Sequence, residues 1–462
     1  TPKELCIHMN AILGNGLFSD DIEDPYKFWI KFIVVKGLLN KIDYAASAGI
    51  DTLELEPQNA SKYVEEAFKI RKEYGYEVGK IKLKDKKIIF PNKVQEFMGN
   101  EENKDKNIIV IASTGIGKTE GALLWAGDSK TFYTLPIKVS INAIYERIRD
   151  SNYYDKNKFT FLHSDAKRIM RKDEEIDDYQ LKYKETRHLI YPLTICTVDQ
   201  LFYFVFKSLG TEKYAATLKY SKVIIDEIQS YTPDIISFLI FGLKVVNDLG
   251  GKFCIMTATL PPIVKYFLEE TIGEENIKIA EKPFYKKDDK GNIIIRHKIK
   301  YEEKDFEYNK ILEKAKDKKV LIICNTVKRS QDVYKRLKEE NKQNIEINLL
   351  HSRFIFKDRK DKENKIIKFA SSDKFGIWIS TQIVEASLDI DFDVLYTDMC
   401  SADSLLQRMG RCYRNRIYTG NDTNVFIYDT KIGVGTVYDK DIFKFSVEHI
   451  QEYNNKIFTE ED

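Results

Sequence analysis

The sequence predicts an α/β fold in which two tandem parallel-sheet domains follow a helical segment. Residues 25–75 carry apolar side chains at helical spacing. From about residue 80, short apolar runs alternate with helical patterns, which is typical of parallel β-α-β units. A polar run over 281–292 separates two such series. We therefore expect a helical segment at 1–80, sheet domains at 81–285 and 286–435, and the start of a helical accessory region at 436–462.

Each expected strand is a short apolar run, and the residues that follow it are candidate site residues. Ligands of open α/β sheets bind beyond the carboxyl ends of the strands. The expected strands are 107–112, 131–135, 159–163, 193–197, 222–226 and 252–257 in the first domain, and 293–300, 319–324, 345–350, 376–380, 393–397 and 424–428 in the second.

Composition narrows the class of protein. The net charge of the 462 residues is only +2, so any nucleic-acid contact must come from local patches. The six cysteines contain no Cys-x-x-Cys pair, which argues against a zinc site or a disulfide framework and indicates a cytoplasmic setting. The most apolar stretch, 235–246, is too short to span a membrane and is interrupted by Ser237 and Lys244. We expect no membrane partner.

A phosphate-binding loop is the strongest local signal. Residues 112–120 read Ala-Ser-Thr-Gly-Ile-Gly-Lys-Thr-Glu and directly follow the apolar run 107–111. Gly115 and Gly117 permit the tight backbone path that turns amide N–H groups towards phosphate oxygens. Ala112 stands where the usual pattern has glycine, and a plain glycine-rich turn is the alternative interpretation.

The chemistry of this loop indicates binding of ATP with Mg²⁺. Lys118 is expected to reach the β- and γ-phosphates, and Thr119 to ligate Mg²⁺. The following helix adds its N-terminal dipole. The candidate nucleotide-binding residues of the loop are Thr114, Gly115, Gly117, Lys118, Thr119 and Glu120.

An acidic pair follows another buried run. Asp226 and Glu227 come at the end of the apolar residues 222–225. Asp226 is expected to hold Mg²⁺, and Glu227 to accept a proton from the attacking water or to position it. Two acidic residues at a strand end are often merely solvated, but the phosphate-binding loop upstream favours the catalytic interpretation.

Three arginines complete the candidate site, Arg411 and Arg414 as catalytic residues and Arg408 as a nucleotide-binding residue. Arg408, Arg411 and Arg414 recur at spacing three, which predicts one helical face. Three cations on one face repel one another unless an anion lies opposite them, and the γ-phosphate of a nucleotide is such an anion. We expect Arg411 and Arg414 to act on that phosphate and Arg408 to brace the acidic pair at the nucleotide. A surface helix that binds nucleic-acid phosphate is the alternative.

These motifs together resemble superfamily 2 helicases, which contain two RecA-like domains in tandem. The exact residues of several motif segments resemble the CRISPR-associated helicase–nuclease family of type I systems, and this resemblance covers about residues 85–430. The segments that carry this resemblance are Thr-Val-Asp-Gln-Leu at 197–201, Asp-Glu-Ile-Gln-Ser-Tyr at 226–231, Met-Thr-Ala-Thr-Leu-Pro at 256–261, His-Ser-Arg-Phe at 351–354 and the run 380–393.

The resemblance implies an ATP-dependent motor with its nucleotide in a cleft between two lobes. It further implies 3′-to-5′ movement on single-stranded DNA, recruited by a crRNA-guided Cascade complex. Gln95, in a Phe-Pro-Asn-Lys-Val-Gln segment, is expected to read adenine through its amide. Asp389 is expected to contact the ribose, and Thr257 and Thr259 to couple hydrolysis to the strand.

Polar residues after four other strands suggest a track for a single strand of nucleic acid. Hydroxyls, amides and backbone N–H groups at such ends can hold phosphates without reading bases. The candidate residues are Pro136, Lys138, Thr197, Asp199 and Gln200 in the first domain, and Asn325, Thr326, Thr381 and Gln382 in the second.

The helical segment resembles the tail of a nuclease domain. Residues 36–47 are similar to the last helix of the HD nuclease domain of the same family, in which the acidic metal ligand corresponds to Asp43. No His-Asp dipeptide occurs and His8 is the only nearby histidine, so a divalent transition-metal site would be incomplete. We expect this chain to translocate without cutting DNA, with cleavage supplied by preceding residues or by a separate nuclease chain.

Two other functions compete with this interpretation. A superfamily 2 RNA helicase would be distinguished by stimulating the ATPase with RNA and not with DNA. A non-enzymatic NTP-gated scaffold would bind nucleotide and nucleic acid without turnover. Intact Lys118, Glu227 and Arg411 favour an enzyme, because an inactive scaffold tends to lose one of them.

Overall fold

A computed structural model describes residues 25–74, 77–78, 81–82, 91–173, 178–206, 210–287, 291–385, 388, 390–414 and 416–459. The chain divides into two compact units. Unit 1 comprises residues 1–76 and 83–284, and unit 2 comprises residues 77–82 and 285–462. Each unit is built on one seven-stranded sheet. The predicted α/β class with two tandem RecA-like sheets is confirmed.

Unit 1 has an all-parallel sheet in the order β5-β6-β4-β7-β8-β3-β9. Its strands are β3 Asn107–Ile111, β4 Lys130–Thr134, β5 Phe159–Leu162, β6 Leu193–Cys196, β7 Ser221–Asp226, β8 Lys252–Thr257 and β9 Ile277–Ile279. Its helices are α1 Pro25–Ser47, α2 Ala60–Tyr74, α3 Lys93–Gly99, α4 Glu101–Lys104, α5 Lys118–Ala126, α6 Lys138–Asp150, α7 Ala166–Met170, α8 Tyr179–Arg187, α9 Val198–Phe202, α10 Glu212–Leu218, α11 Pro233–Leu249 and α12 Pro262–Ile272.

Both faces of this sheet are buried, which explains the continuous apolar runs in the sequence. Along β7, Val223 and Ile225 belong to one apolar cluster and Ile224 to the other. Helix α1 packs on the first cluster through Trp29, whose ring stacks on Phe241 at 6.5 Å between ring centroids. Helix α1 is therefore packed on the first sheet.

Unit 2 repeats the architecture, with strand order β12-β13-β11-β14-β15-β10-β16. All its strand pairs are parallel except β10 with β16. Its strands are β10 His297–Glu302, β11 Lys319–Ile323, β12 Ile347–Leu350, β13 Gly376–Ser380, β14 Val394–Asp398, β15 Val425–Tyr428 and β16 Ile457–Phe458, and its helices are α13 Tyr308–Lys314, α14 Val327–Glu340, α15 Phe356–Ala370, α16 Ala402–Met409 and α17 Lys440–Glu452. A separate antiparallel pair consists of β1 Glu77–Val78 and β2 Ile81–Lys82.

All twelve predicted strands are present, with small shifts at their ends. The largest shift is at β10, which begins at His297 instead of residue 293. In the final segment, Phe443 and Ile450 of α17 and Phe458 of β16 pack into the core of the second sheet. We therefore propose that the second domain extends over this segment. None of the described helices is long and apolar enough to cross a membrane.

Candidate active site

The loop between β3 and α5 has the backbone that only glycine adopts readily. Gly115 has φ 69° and Gly117 has φ 99°. A Cβ atom on Gly117 would lie 2.4 Å from Gln95 Nε2. The backbone conformation therefore favours glycine at both positions, and at Gly117 the close approach of Gln95 also leaves little room for a side chain. Helix α5 begins directly afterwards, at Lys118.

The loop lysine and the acidic pair meet in unit 1. Lys118 Nζ lies 3.1 Å from Glu227 Oε1 and donates a hydrogen bond to Ala112 O at 3.2 Å. Glu227 has φ 56°, an uncommon left-handed conformation for a non-glycine residue. The carboxyl ends of β3 and β7 thus bring Lys118, Asp226 and Glu227 together, with Thr119 buried beside them.

The two carboxyl groups have different environments. Asp226 Oδ2 accepts a hydrogen bond from Tyr133 Oη at 2.9 Å, whereas no described residue donates to its buried Oδ1. Burial, and then the charge of Glu227, raise the pKa of Asp226 to about 6. Burial also raises the pKa of Glu227, but Lys118 and Gln229 outweigh it and hold that pKa below its ordinary value. A buried carboxylate oxygen without a donor, next to a hydroxyl side chain, fits a magnesium ligand set of Asp226 and Thr119.

A chain of side chains joins the acidic pair to the segment after β8. Gln229 Nε2 donates to Glu227 Oε2, and Thr257 Oγ1 donates to Gln229 Oε1. The Thr257 hydroxyl also accepts from the N–H of Thr259 at 3.1 Å. Of the two predicted coupling residues, Thr257 is therefore separated from the proposed catalytic base by one side chain, and Thr259 is hydrogen-bonded to Thr257. Gln229 is a link that the sequence did not reveal.

Two predicted nucleotide-binding side chains have partners within the protein. The Glu120 carboxylate is buried and accepts hydrogen bonds from Arg147 at 2.7 Å and Tyr153 at 2.8 Å. Gln95 lies in a capping box at the start of α3, where its Oε1 accepts from the N–H of Asn92 at 3.0 Å. Its Nε2 is 3.4 Å from Gly117 O, so the amide contacts the phosphate-binding loop directly.

The predicted nucleic-acid residues of unit 1 follow two neighbouring strands. Strands β4 and β6 are paired along their length, and their last pair is Thr134 with Cys196. The segments that follow these two strands therefore leave the same edge of the sheet. Lys138 Nζ pairs with Asp165 at 3.2 Å, and Thr197 precedes α9. The residues at this edge are Pro136, Lys138, Thr197, Asp199 and Gln200, and Gln200 Nε2 donates to Asp199 Oδ2 at 2.7 Å.

The predicted nucleic-acid residues of unit 2 line a single cavity of about 460 Å³, which we call the strand-end cavity. It lies at the carboxyl ends of the paired strands β11 and β13, whose last pair is Ile323 with Ser380. Among the described residues that line it, the charged ones are Lys328 and Arg353, both cationic. The full lining is Asn325, Thr326, Val327, Lys328, Ser352, Arg353, Thr381, Gln382, Ser404, Val437 and Tyr438.

The expectation that three arginines share one helical face is wrong. Helix α16 ends at Met409, and Tyr413 has a left-handed φ of 49°. A bridge between Cys412 and Phe392 fixes the chain after the helix end. Tertiary pairing has therefore replaced the helical continuation that the spacing of three suggested.

Arg408 is a buried structural centre of unit 2. Its side chain is 0 % exposed, and its N–H groups donate to Glu385 Oε1, Thr397 Oγ1 and Tyr438 Oη, each at 2.7 Å. A fourth bond reaches Asp398 O at 3.0 Å. In this structure Arg408 thus lies in the core of unit 2 and not at a surface that a nucleotide could contact, which corrects its predicted role as a nucleotide-binding residue.

We expect Arg408→Ala to lower the free energy of unfolding by about 3–5 kcal/mol, because it leaves buried Glu385 without its cation. Denaturant unfolding measures this change. Arg416→Ala is the matched control, because Arg416 pairs with Asp391 and Asp393 while 42 % exposed and should contribute less than about 1 kcal/mol. Equal destabilisation by the two variants would contradict the structural role of Arg408.

Arg411 and Arg414 lie in the turn after α16. Arg411 is buried, and its guanidinium donates to Leu388 O and Glu385 O, at 2.6 and 2.5 Å. The backbone N–H of Arg414 donates to Asp391 Oδ1 at 3.0 Å. Arg411 therefore holds the backbone at Glu385 and Leu388, while the position of Arg414 is held through its backbone.

Asp43 is exposed on α1. Among the residues that the structure describes, no group of three or more His, Cys, Asp or Glu side chains could hold a metal ion. His8 and Asp389 lie outside the described residues.

Two family models match this chain. Residues 92–266 match the DEAD/DEAH box helicase model, and residues 316–417 match the C-terminal model of the CRISPR-associated nuclease/helicase Cas3. A CRISPR-associated nuclease/helicase Cas3 of Methanothermobacter thermautotrophicus is 30% identical over 95% of this chain and 53% of that protein. The chain belongs to the Cas3 helicase family. A CRISPR-associated endonuclease/helicase Cas3 of Escherichia coli is 28% identical over 66% of this chain and 40% of that protein.

Solved Cas3 structures share the fold. The crystal structure of T. fusca Cas3 aligns with a TM-score of 0.69 at 18% identity, over 90% of this chain and 53% of that one. A chain in a pre-nicking CRISPR RNA-guided surveillance complex aligns with a TM-score of 0.58 at 18% identity, over 80% of this chain and 49% of that one. This chain spans about half the length of the Cas3 proteins that it matches.

Proposed function

We propose that this chain is an ATP-dependent motor that moves along single-stranded DNA in type I CRISPR interference. The observation that carries the proposal is the continuous set of contacts from Lys118 through Glu227 and Gln229 to Thr257. It joins a phosphate-binding loop, an acidic pair and the segment after a third strand. An enzyme that converts hydrolysis into movement needs such a connection.

The contacts of the unit 1 residues support a separate role for each of them in ATP hydrolysis. Lys118 exchanges its ion pair with Glu227 for the β- and γ-phosphates of ATP, which frees Glu227 to accept a proton from the attacking water. Asp226 and Thr119 are the residues that would hold Mg²⁺, which neutralises charge on the phosphates when bound. Gln229 then passes a change at Glu227 to Thr257.

The parts of the proposed motor that lie in unit 2 are the strand-end cavity and the arginines Arg411 and Arg414. Hydroxyls, amides and two cations suit the phosphates of a single strand, and no base-reading pattern is required. We propose that Arg411 and Arg414 stabilise the γ-phosphate in the transition state. The surveillance complex that contains a chain of similar fold supports a crRNA-guided Cascade complex as the partner that delivers the strand.

The test is ATP turnover by this chain with no nucleic acid, with single-stranded DNA and with single-stranded RNA of the same sequence. We expect stimulation by the DNA alone. Stimulation by RNA alone would instead support an RNA helicase, and binding without turnover would support a scaffold.

Direction of movement needs a second assay. Displacement of streptavidin from biotin at one end of a DNA strand reports the end towards which the motor moves. We expect faster displacement from the 5′ end, which corresponds to 3′-to-5′ movement. Faster displacement from the 3′ end would contradict the proposed polarity.

A further inference from the structure

The turn that follows β15 forms one wall of the strand-end cavity. Gly433 has φ 90°, and a Cβ atom on it would lie 3.2 Å from Asn325 Cβ. Asn325 Nδ2 donates to Ile432 O at 2.7 Å, and the N–H of Tyr438 donates to Gly433 O at 3.0 Å. The turn is thus fixed against Asn325, and it places Tyr438 in the cavity lining.

The Tyr438 hydroxyl accepts two hydrogen bonds. Arg408 Nη2 donates to it at 2.7 Å, and Gln382 Nε2 donates at 3.3 Å. Arginine has donors only, and Gln382 Nε2 is identified as the amide nitrogen because it also donates to Asn325 O at 2.8 Å. Both lone pairs of the phenol oxygen are therefore used. The hydroxyl proton remains available for donation, because no residue in the described part of the chain accepts a hydrogen bond from it.

The cavity suits an anionic acceptor for that proton. Lys328 and Arg353 are its charged lining residues, and the N-terminus of α14 opens onto it at Val327. Burial raises the pKa of Tyr438 to about 12, so the phenol is protonated at neutral pH. The bond from the Arg408 guanidinium polarises the O–H group and strengthens it as a donor.

We propose that the Tyr438 hydroxyl donates to a phosphate oxygen of the strand held in this cavity and thereby links that strand to Arg408. This inference rests on the proposed function, because it takes single-stranded DNA as the occupant. Arg408 binds the Glu385 side chain at 2.7 Å, and Glu385 O accepts from Arg411. Tyr438 is thus a positioning residue between the strand and the arginines of the turn after α16.

The first test is Tyr438→Phe, which removes the hydroxyl and keeps the ring. We expect the DNA concentration that gives half-maximal ATPase stimulation to rise about tenfold, as expected for loss of one hydrogen bond to a charged group. Tyr301→Phe is the matched control, because its hydroxyl donates to Asp429 at 2.9 Å within unit 2 and does not line the cavity. In the control variant, the DNA concentration that gives half-maximal ATPase stimulation should equal that of the wild-type chain.

A pH profile separates phosphate contact from a purely structural role. Incorporation of 3,5-difluorotyrosine at position 438 lowers the phenol pKa while keeping the side chain in place. We expect DNA binding by this variant to weaken as pH rises and the proton is lost, whereas the wild-type chain does not weaken over the same range. A structural role predicts no weakening, since a phenolate would still accept from Arg408 and Gln382.

The outcomes distinguish the two proposals. If the wild-type chain is not stimulated by DNA, the proposed function fails. If it is stimulated and Tyr438→Phe behaves like Tyr301→Phe, only the role of Tyr438 fails. If Tyr438→Phe does not fold, the difluorotyrosine profile decides, and a profile parallel to that of the wild type overturns the inference.

Discussion

Replacement of Glu227 by Gln is expected to lower ATP turnover roughly 10²–10⁴-fold, the usual contribution of a general base. The change removes the group that would accept the proton from water. It leaves Asp226 and Thr119 in place, so ATP should still bind with Mg²⁺. Phosphate release measures turnover, and fluorescence of a labelled ATP analogue measures binding.

Two variants serve as controls for this prediction. Lys118→Ala should abolish turnover and weaken ATP binding as well, because the lysine is proposed to contact the phosphates directly. Glu269→Gln changes a carboxylate of unit 1 that pairs with Lys265 on α12, and it should change neither quantity. Normal hydrolysis by Glu227→Gln would show that Glu227 is not the catalytic base.

Arg414→Ala is expected to reduce turnover about 10³–10⁵-fold, as loss of an arginine finger does, with a much smaller change in ATP affinity. The difference arises because the charge that the arginine neutralises grows in the transition state. The backbone of Arg414 is held by Asp391, so this variant should keep its fold. Single-turnover hydrolysis separates the chemical step from binding.

Arg411→Ala should differ from Arg414→Ala in a measurable way. Arg411 donates to Leu388 O and Glu385 O, so its removal should lower the melting temperature as well as turnover. Arg416→Ala is the control for a cation in the same turn, and it should hydrolyse ATP normally. Wild-type turnover by Arg414→Ala would overturn its assignment as a finger.

The predictable part of this protein lies in local and periodic signals. Each buried parallel strand is a short apolar run, so its end can be located in the sequence, and polar residues after that end must lie at one edge of the sheet. This reasoning placed Lys118, Asp226 and Glu227 in one neighbourhood. It also placed Asn325 and Thr381 at the ends of strands in the second domain, and the structure shows that both line the strand-end cavity.

The tertiary structure alone decided which of these side chains touch, because such contacts join distant positions that no local pattern encodes. Tyr133 supports Asp226 from a neighbouring strand, and Gln229 bridges Glu227 to Thr257. The arginine spacing was misleading for the same reason: pairing of Cys412 with Phe392 draws the chain out of the helix after Met409. Intrinsic helical spacing is a weak preference, and packing against the second sheet outweighs it.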